Sequence, residues 1–170
     1  MSTTMTTNDA PTQADARAGK YLTFQLSHEE FGIRVLKVRE IMGIQEITAV
    51  PQTPAHIKGV INLRGKVVPV IDLRLKFGLA AAEYTQRTCI IVTQVQGESG
   101  AVLMGIVVDG VSEVLNLSGA EIEDTPDFGE EYSGGYLLGM AKVKGKVKIL
   151  LDIERVLSTQ DLHNLNSMLR

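Results

Sequence analysis

Few residues in this 170-residue chain could do chemistry on their own. Asp72 and Asp152 each follow an apolar run, and two carboxylates brought together could divide the work of acid and base. Each also precedes a short helical pattern, where an aspartate caps the free N–H groups of the first turn. A cap repeated in both halves explains the pair without catalysis. Cys89 stands next to Ile90 and Ile91. A nucleophilic thiol needs a basic, partly exposed setting, so the apolar neighbours favour a small buried hydrophobe. His28, His56 and His163 have no second His or Cys at metal-ligand spacing. No G-x-S-x-G, H-E-x-x-H, Walker or G-x-G-x-x-G pattern occurs. The expectation is no enzyme, no cofactor and no metal site. A small β-barrel enzyme or ligand binder using Asp72, Asp152 or Cys89 is the competing reading.

Other polar residues have two readings each. Lys142, Lys144, Lys146 and Lys148 alternate, as on the solvated face of a hairpin whose lysines block edge aggregation; they could also meet an acidic partner. Arg64 belongs at a turn tip, either solvated or recruited for contact. Glu40 falls within Val38-Arg39-Glu40-Ile41-Met42, and Glu113 repeats it. A carboxylate among apolar side chains is costly to bury unpaired, so Glu40 should lie at a rim or meet a cation. Phe128, in an acidic loop, either folds back as a satellite core residue or anchors a partner.

Composition narrows the classes further. Lys plus Arg number 17 and Asp plus Glu 20, a formal charge of −3, and aromatics are 5% with no Trp. That argues against nucleic acid, which calls for a basic surface and stacking platforms. A single cysteine excludes an intrachain disulfide framework and points to a reducing compartment. The first residues have neither the basic start nor the apolar run of a signal peptide. The longest apolar run, Gly100 to Val108, is far short of a membrane span. The chain is expected to be soluble and cytoplasmic, with no membrane insertion.

The elements that position these residues are short strands. Residues 1–19 have little to bury and read as a disordered tail. Tyr21 to Leu26 and Phe31 to Val35 alternate as a hairpin about Ser27-His28-Glu29-Glu30. Leu36 to Met42 fits a strand or a helical turn. Val60 to Leu63 and Lys66 to Ile71 flank Arg64-Gly65, where glycine supplies the positive φ of a tight turn. Pro69 places its strand at an edge or beside a bulge. Asp72 opens a helical turn that Gly78 ends, and 80–86 is a linker. Thr88 to Val95 and Ala101 to Val108 are strands, Ser118 to Gly135 is a long acidic loop, and Gly139 to Leu151 is a hairpin about Lys144-Gly145-Lys146. Ser158, Asp161, Leu162, Leu165 and Leu169 suggest a short C-terminal helix.

The halves repeat one another. Gly32-Ile33-x-Val35-x-x-Val38-x-Glu40-Ile41 matches Gly105-Ile106-x-Val108-x-x-Val111-x-Glu113-Val114, 73 residues on. Gly59, Gly65-Lys66-Val67 and Asp72-Leu73 match Gly139, Gly145-Lys146-Val147 and Asp152-Ile153, 80 residues on. The seven extra residues fall in the acidic loop region. Two ordered blocks with one loop-sized insertion indicate a duplication, with repeat one about 20–82 and repeat two about 87–157. Five strands per copy can curl into a closed barrel that removes exposed edges. The expected fold is mostly β: two five-stranded barrel subdomains related by a pseudo-twofold around a shared hydrophobic core.

At these residues the chain resembles the CheW-like coupling-domain family of bacterial chemotaxis. Tyr21-x-x-Phe24 with Glu30-Phe31-Gly32-Ile33 and Lys37-Val38-x-Glu40-Ile41 is similar to it. So is Pro54-x-x-Ile57-x-Gly59-Val60-x-Asn62-Leu63-Arg64-Gly65, running into Val68-Pro69-Val70-x-Asp72-Leu73-Arg74, and so is Val107-Val108-Asp109-Gly110-Val111-Ser112-Glu113-Val114. The Asn-Leu-Arg-Gly block is the specific part. The resemblance covers about residues 20–157, leaving 158–170 as a C-terminal helix or tail. It implies two SH3-like barrels and a non-enzymatic adaptor. That adaptor would couple the cytoplasmic tips of chemoreceptors (methyl-accepting chemotaxis proteins) to the regulatory domain of the CheA kinase, in mixed rings with kinase domains at membrane-associated arrays. Carried over by position, the receptor-binding residues are Val38, Glu40, Ile41, Gly59, Asn62, Arg64 and Ile90. Phe128, Ile44 and Ile47 are the kinase-binding candidates. A coupling protein of another CheA-like pathway, in a motility or second-messenger array, fits the same sequence.

Overall fold

A computed structural model describes residues 16–97, 100–124 and 135–157. The chain runs β1 (Gly19–Leu26), β2 (Glu29–Arg34), a 3-10 turn (Val35–Lys37), β3 (Val38–Gly43), β4 (Ile57–Leu63) and β5 (Lys66–Asp72). There follow the helical turn α1 (Leu73–Lys76), β6 (Cys89–Gly97), β7 (Gly100–Val108) and β8 (Gly110–Leu117). A second 3-10 turn (Gly119–Glu121), β9 (Ile122–Glu123), β10 (Leu137–Val143), β11 (Lys146–Leu151) and the helical turn α2 (Ile153–Val156) complete it. The stretch from Leu36 to Met42, open between strand and turn in the sequence, is both: the 3-10 turn ends at Lys37 and the strand begins at Val38.

Two sheets form. One has the order β3-β6-β7-β5-β4 and the other β8-β1-β2-β11-β10-β9. Mostly β architecture in two sheets of this size agrees with the expected fold. The sheets do not follow the repeats, however. The hairpin β1–β2 of the first repeat lies in the sheet completed by β8, β10 and β11 of the second. The hairpin β6–β7 of the second lies beside β3, β4 and β5 of the first. Parallel ladders seal the exchange, with Leu150 opposite Gly32 in one and Val70 opposite Gly105 in the other. These are equivalent pairs under the 73- and 80-residue offsets.

Local geometry repeats in the same way. Arg64-Gly65 and Lys144-Gly145 are two-residue turns with positive φ at both positions, the primed type whose twist matches a hairpin. The bulge at Gly59 in the β4–β5 pair recurs at Gly139 in the β10–β11 pair. Asp72 N donates to His56 O and Asp152 N to Tyr136 O, both at 2.8 Å. Both aspartates cap the turn that follows: Asp72 accepts from Arg74 N and Leu75 N, and Asp152 from Glu154 N. The capping reading of this pair holds. Pro69 lies on β5, which has neighbours on both sides, so it is not at an edge. The ladder from β5 to β7 opens only at Val70, the residue after it, and the partner strand β4 carries the bulge.

Among the described residues the core has three parts. The largest joins both sheets through Leu22, Phe24, Ile33, Ile71, Leu73, Ile91, Ile106, Val108, Leu151 and Ile153, all buried. Each sheet curls over a smaller cluster, around Ile61, Val68, Val70, Ile90 and Val92 in one and Tyr21, Leu117, Ile122 and Leu150 in the other. Strands such as β6 are therefore covered on both faces, which is why Cys89-Ile90-Ile91-Val92 reads as an unbroken apolar run. Two expectations are corrected here. Lys148 is not on the solvated face of its hairpin: it is 4% exposed, with Nζ 2.8 Å from Glu30 Oε1. Order also begins before Lys20. Arg17 is buried, and its guanidinium donates to Leu138 O and Asp124 Oδ1. An isolated arginine in a Thr- and Ala-rich stretch gives no periodic signal of such anchoring. The expected C-terminal helix falls outside the described residues.

Candidate docking surface

The first sheet presents the residues that the sequence singled out. β3 is an edge strand whose side chains alternate between half-buried and exposed. Val38 is half-buried and packs against the large core cluster. Ile41 remains 44% exposed. The β4–β5 turn reaches over to β3 from the other end of the sheet order. Asn62 Oδ1 accepts from Gly65 N at 2.8 Å, an Asx contact that holds the tight turn. That conformation aims Arg64 back at β3. Arg64 Nη2 lies 2.6 Å from Glu40 Oε1 and Nη1 3.3 Å from Oε2, a two-pronged pair. The carboxylate expected at a rim or against a cation meets this one. Hydrogen bonding to Arg64 holds the Glu40 carboxyl below its usual range, and the same contact raises the guanidinium. The pair stays open to water, with Arg64 73% exposed.

Gly59 shapes this end from behind. Its φ is +140°, and a Cβ there would fall 1.9 Å from Thr48 O. Only glycine lets 48–49 cross β4, where Thr48 and Val60 exchange two 2.9 Å backbone hydrogen bonds. That crossing seats Ile44 and Ile47, both partly buried, against the small core of the sheet. Ile90 departs from the expectation. Its side chain is fully buried in that same core, so it supports the surface from beneath and does not line it. Phe128 lies outside the described residues. Sequence reading missed Val67, which is 56% exposed and directly opposite Asn62. A strand alternation counted from buried Val68 would have placed it outward.

The groups considered for catalysis are occupied elsewhere. Asp72 is buried, capping α1 and accepting from Tyr84 OH at 2.9 Å. Burial, with the Asp72 charge and hydrogen bond, drives the Tyr84 hydroxyl well above its ordinary range. Cys89 is a free thiol of intermediate exposure that donates to Arg87 O. Among the described residues no cluster of His, Cys, Asp and Glu could hold a metal ion, and no helix is long and apolar enough to cross a membrane.

The described residues form a duplicated, strand-exchanged β fold with an ion-paired turn open to water at one end. Residues 20–161 match the CheW-like domain. The chain is 43% identical over 143 residues to the chemotaxis protein CheW of Klebsiella aerogenes, covering 84% of each chain. It is 34% identical over 140 residues to that of Rhizobium meliloti, covering 82% of this chain and 88% of that one. The solved scaffolding protein TtCheW from Thermoanaerobacter tengcongensis superimposes with a TM-score of 0.74 at 30% identity, over 85% of this chain and 95% of that one. The chain belongs to the CheW-like family and is a chemotaxis scaffold protein, not an enzyme.

Proposed function

We propose that this protein joins the cytoplasmic tips of chemoreceptors to the regulatory domain of the CheA kinase. It works in the cytoplasm, recruited to membrane-associated arrays, where it forms mixed rings with kinase domains. The unit that does so is residues 20–157, built from repeats 20–82 and 87–157. Receptor tips dock on Val38, Glu40, Ile41, Asn62 and Arg64, with Gly59 and Ile90 fixing the surface from behind. The kinase contacts Ile44, Ile47 and Phe128. The observation that carries this reading is the Glu40–Arg64 pair, open to water, on a sheet that also leaves Ile41 and Val67 exposed. An apolar centre with a charged rim suits a helical bundle tip. Head-to-tail use of two related but non-identical barrels gives heterologous contacts, which can close into rings.

Co-sedimentation with receptor bundles, with and without kinase, tests it. The natural chain should pellet with receptors and raise kinase recovery. Arg64→Glu should lose the receptor fraction while melting within about 3 °C of the natural chain, because exposed ion pairs contribute little to folding. Undiminished receptor binding by folded Arg64→Glu would remove this face from the receptor contact.

A further inference from the structure

The second barrel breaks the apolar pattern of the first at one pair of residues. Glu30 and Lys148 are direct partners at the start of the parallel β2–β11 ladder. Lys148 Nζ lies 2.8 Å from Glu30 Oε1, with side-chain exposures of 5% and 19%. Their repeat counterparts are Leu103 and Val68, two residues before the Gly105 and Val70 pair that opens the β7–β5 ladder. Val68 is buried and Leu103 packs on the same small apolar cluster. One barrel thus closes on an ion pair where the other closes on Leu and Val. The contact is close, yet Glu30 Oε1 has no aligned hydrogen-bond donor. It rests on charge opposition.

Buried ion pairs seldom add net stability, because desolvation offsets the attraction; their better attested use is to specify which partners meet. This fold poses that choice. The β1–β2 and β6–β7 hairpins are repeats of one unit, and each could close either barrel. If each stayed with its own repeat, the first sheet would read β3-β1-β2-β5-β4 in place of β3-β6-β7-β5-β4. Each parallel seam has only three paired positions, too few to specify the partner by pattern alone.

We propose that the Glu30–Lys148 pair selects the crossed exchange of hairpins. In the uncrossed arrangement Glu30 would face Val68 and Lys148 would face Leu103. The buried Lys148 ammonium and the mostly covered Glu30 carboxylate would then each lose its partner, the costly outcome for ionised groups. In the crossed arrangement both charges meet and both apolar residues meet. The apolar pair alone would discriminate weakly, because apolar contact is non-directional.

A composition-neutral exchange in the full-length chain tests this. Glu30→Leu with Leu103→Glu reverses the preference of both hairpins. Its crossed form sets Leu against Lys148 and Glu against Val68. The variant should lose about 10 °C or more in melting temperature, or show β2–β5 in place of β2–β11 cross-strand NMR contacts. Adding Val68→Lys and Lys148→Val moves the ion pair into the other barrel and satisfies the crossed form again. The four-residue variant should return to within about 5 °C of the natural chain, with Gly32–Leu150 contacts restored. The proposal fails if the two-residue variant keeps both its melting temperature and its β2–β11 contacts. It fails equally if the four-residue variant is not rescued, since the loss would then be one of local packing.

Discussion

Arg74 grips Asp109 with two nitrogens, Nε 2.8 Å from Oδ1 and Nη2 2.8 Å from Oδ2. The carboxylate also accepts from Ser27 N at 2.7 Å. The contact ties α1 to the β7–β8 corner and to the end of β1. The other half of the molecule makes a similar tie with the signs exchanged. Glu154, the repeat counterpart of Arg74, accepts from Lys37 Nζ at 2.7 Å and from Gln96 N at 3.0 Å. Lys37 follows Leu36, the counterpart of Asp109 under the 73-residue offset, so the brace recurs with inverted charges from a position shifted by one.

Asp109 gives this brace a pH dependence. Burial pushes its carboxyl up, but the Arg74 guanidinium and the Ser27 N–H outweigh that and leave it below its ordinary range. A depressed carboxyl contributes stability that is present above the unfolded-state value and is lost as pH falls through the folded one. Melting temperature should therefore be flat near neutrality and fall on acidification below about pH 4. In Arg74→Ala the stability at pH 7 should drop by about 1–3 kcal/mol, and denaturant titration at both pH values measures it. An acid limb as steep in Arg74→Ala as in the natural chain would show that other carboxylates set it.

The Glu40–Arg64 pair calls for a different outcome, because it is exposed. Reversing it, as Glu40→Arg with Arg64→Glu, keeps the attraction and inverts its direction. The folded domain should melt within about 3 °C of the natural chain, while receptor co-sedimentation falls at least tenfold. Restored binding in the reversed variant would mean that receptors require the ion pair and not its polarity.

Gly59 and Gly65 both have positive φ, yet they should respond differently to alanine. At Gly65 nothing lies within 4 Å of the added Cβ, whereas at Gly59 it meets Thr48 O at 1.9 Å. Gly65→Ala should cost about 1 kcal/mol, the strain of the backbone alone. Gly59→Ala should cost clearly more and displace 48–49, with loss of amide protection at Thr48 and Val60. Equal melting temperatures would show that 48–49 yields freely.

The two capping aspartates differ in their partners. Asp72 holds two backbone N–H groups and the Tyr84 hydroxyl; Asp152 holds the Glu154 N–H and lies 3.7 Å from Arg155 Nε. Asp152→Ala should cost about 1 kcal/mol, the usual value of a lost cap. Asp72→Ala should cost about 1 kcal/mol more, because the Tyr84 hydroxyl loses its acceptor as well. Tyr84→Phe on its own isolates that contribution in chemical denaturation, and no loss there would place the whole difference in the cap.

Much of this was legible from local chemistry. Gly65 and Gly145 announced their turns, Asp72 and Asp152 their caps, and the 73- and 80-residue spacings announced a duplication, because turns, caps and repeats are written in neighbouring residues. The Asn-Leu-Arg-Gly block and its flanks pointed to the family. Residues that act across the chain were less legible. Glu40 was expected near some cation, but nothing local named Arg64. Lys148 sits in an alternating lysine row that looks wholly solvated, and Ile90 resembles any strand residue that lines a surface.

The sequence by itself determined the elements: short strands, primed turns, two capped helical turns and one repeated unit, each set by sterics and hydrogen bonding within a few residues. Only the tertiary structure decided where those elements went. The hairpins crossed between barrels, Lys148 was drawn under its sheet, and Arg64 was aimed at β3. The reason is physical: a strand carries its turn in its own residues, but its partner is chosen by burial and charge between residues distant in the chain, from Glu40 and Arg64 to Glu30 and Lys148, and no short window of sequence contains both sides of that choice.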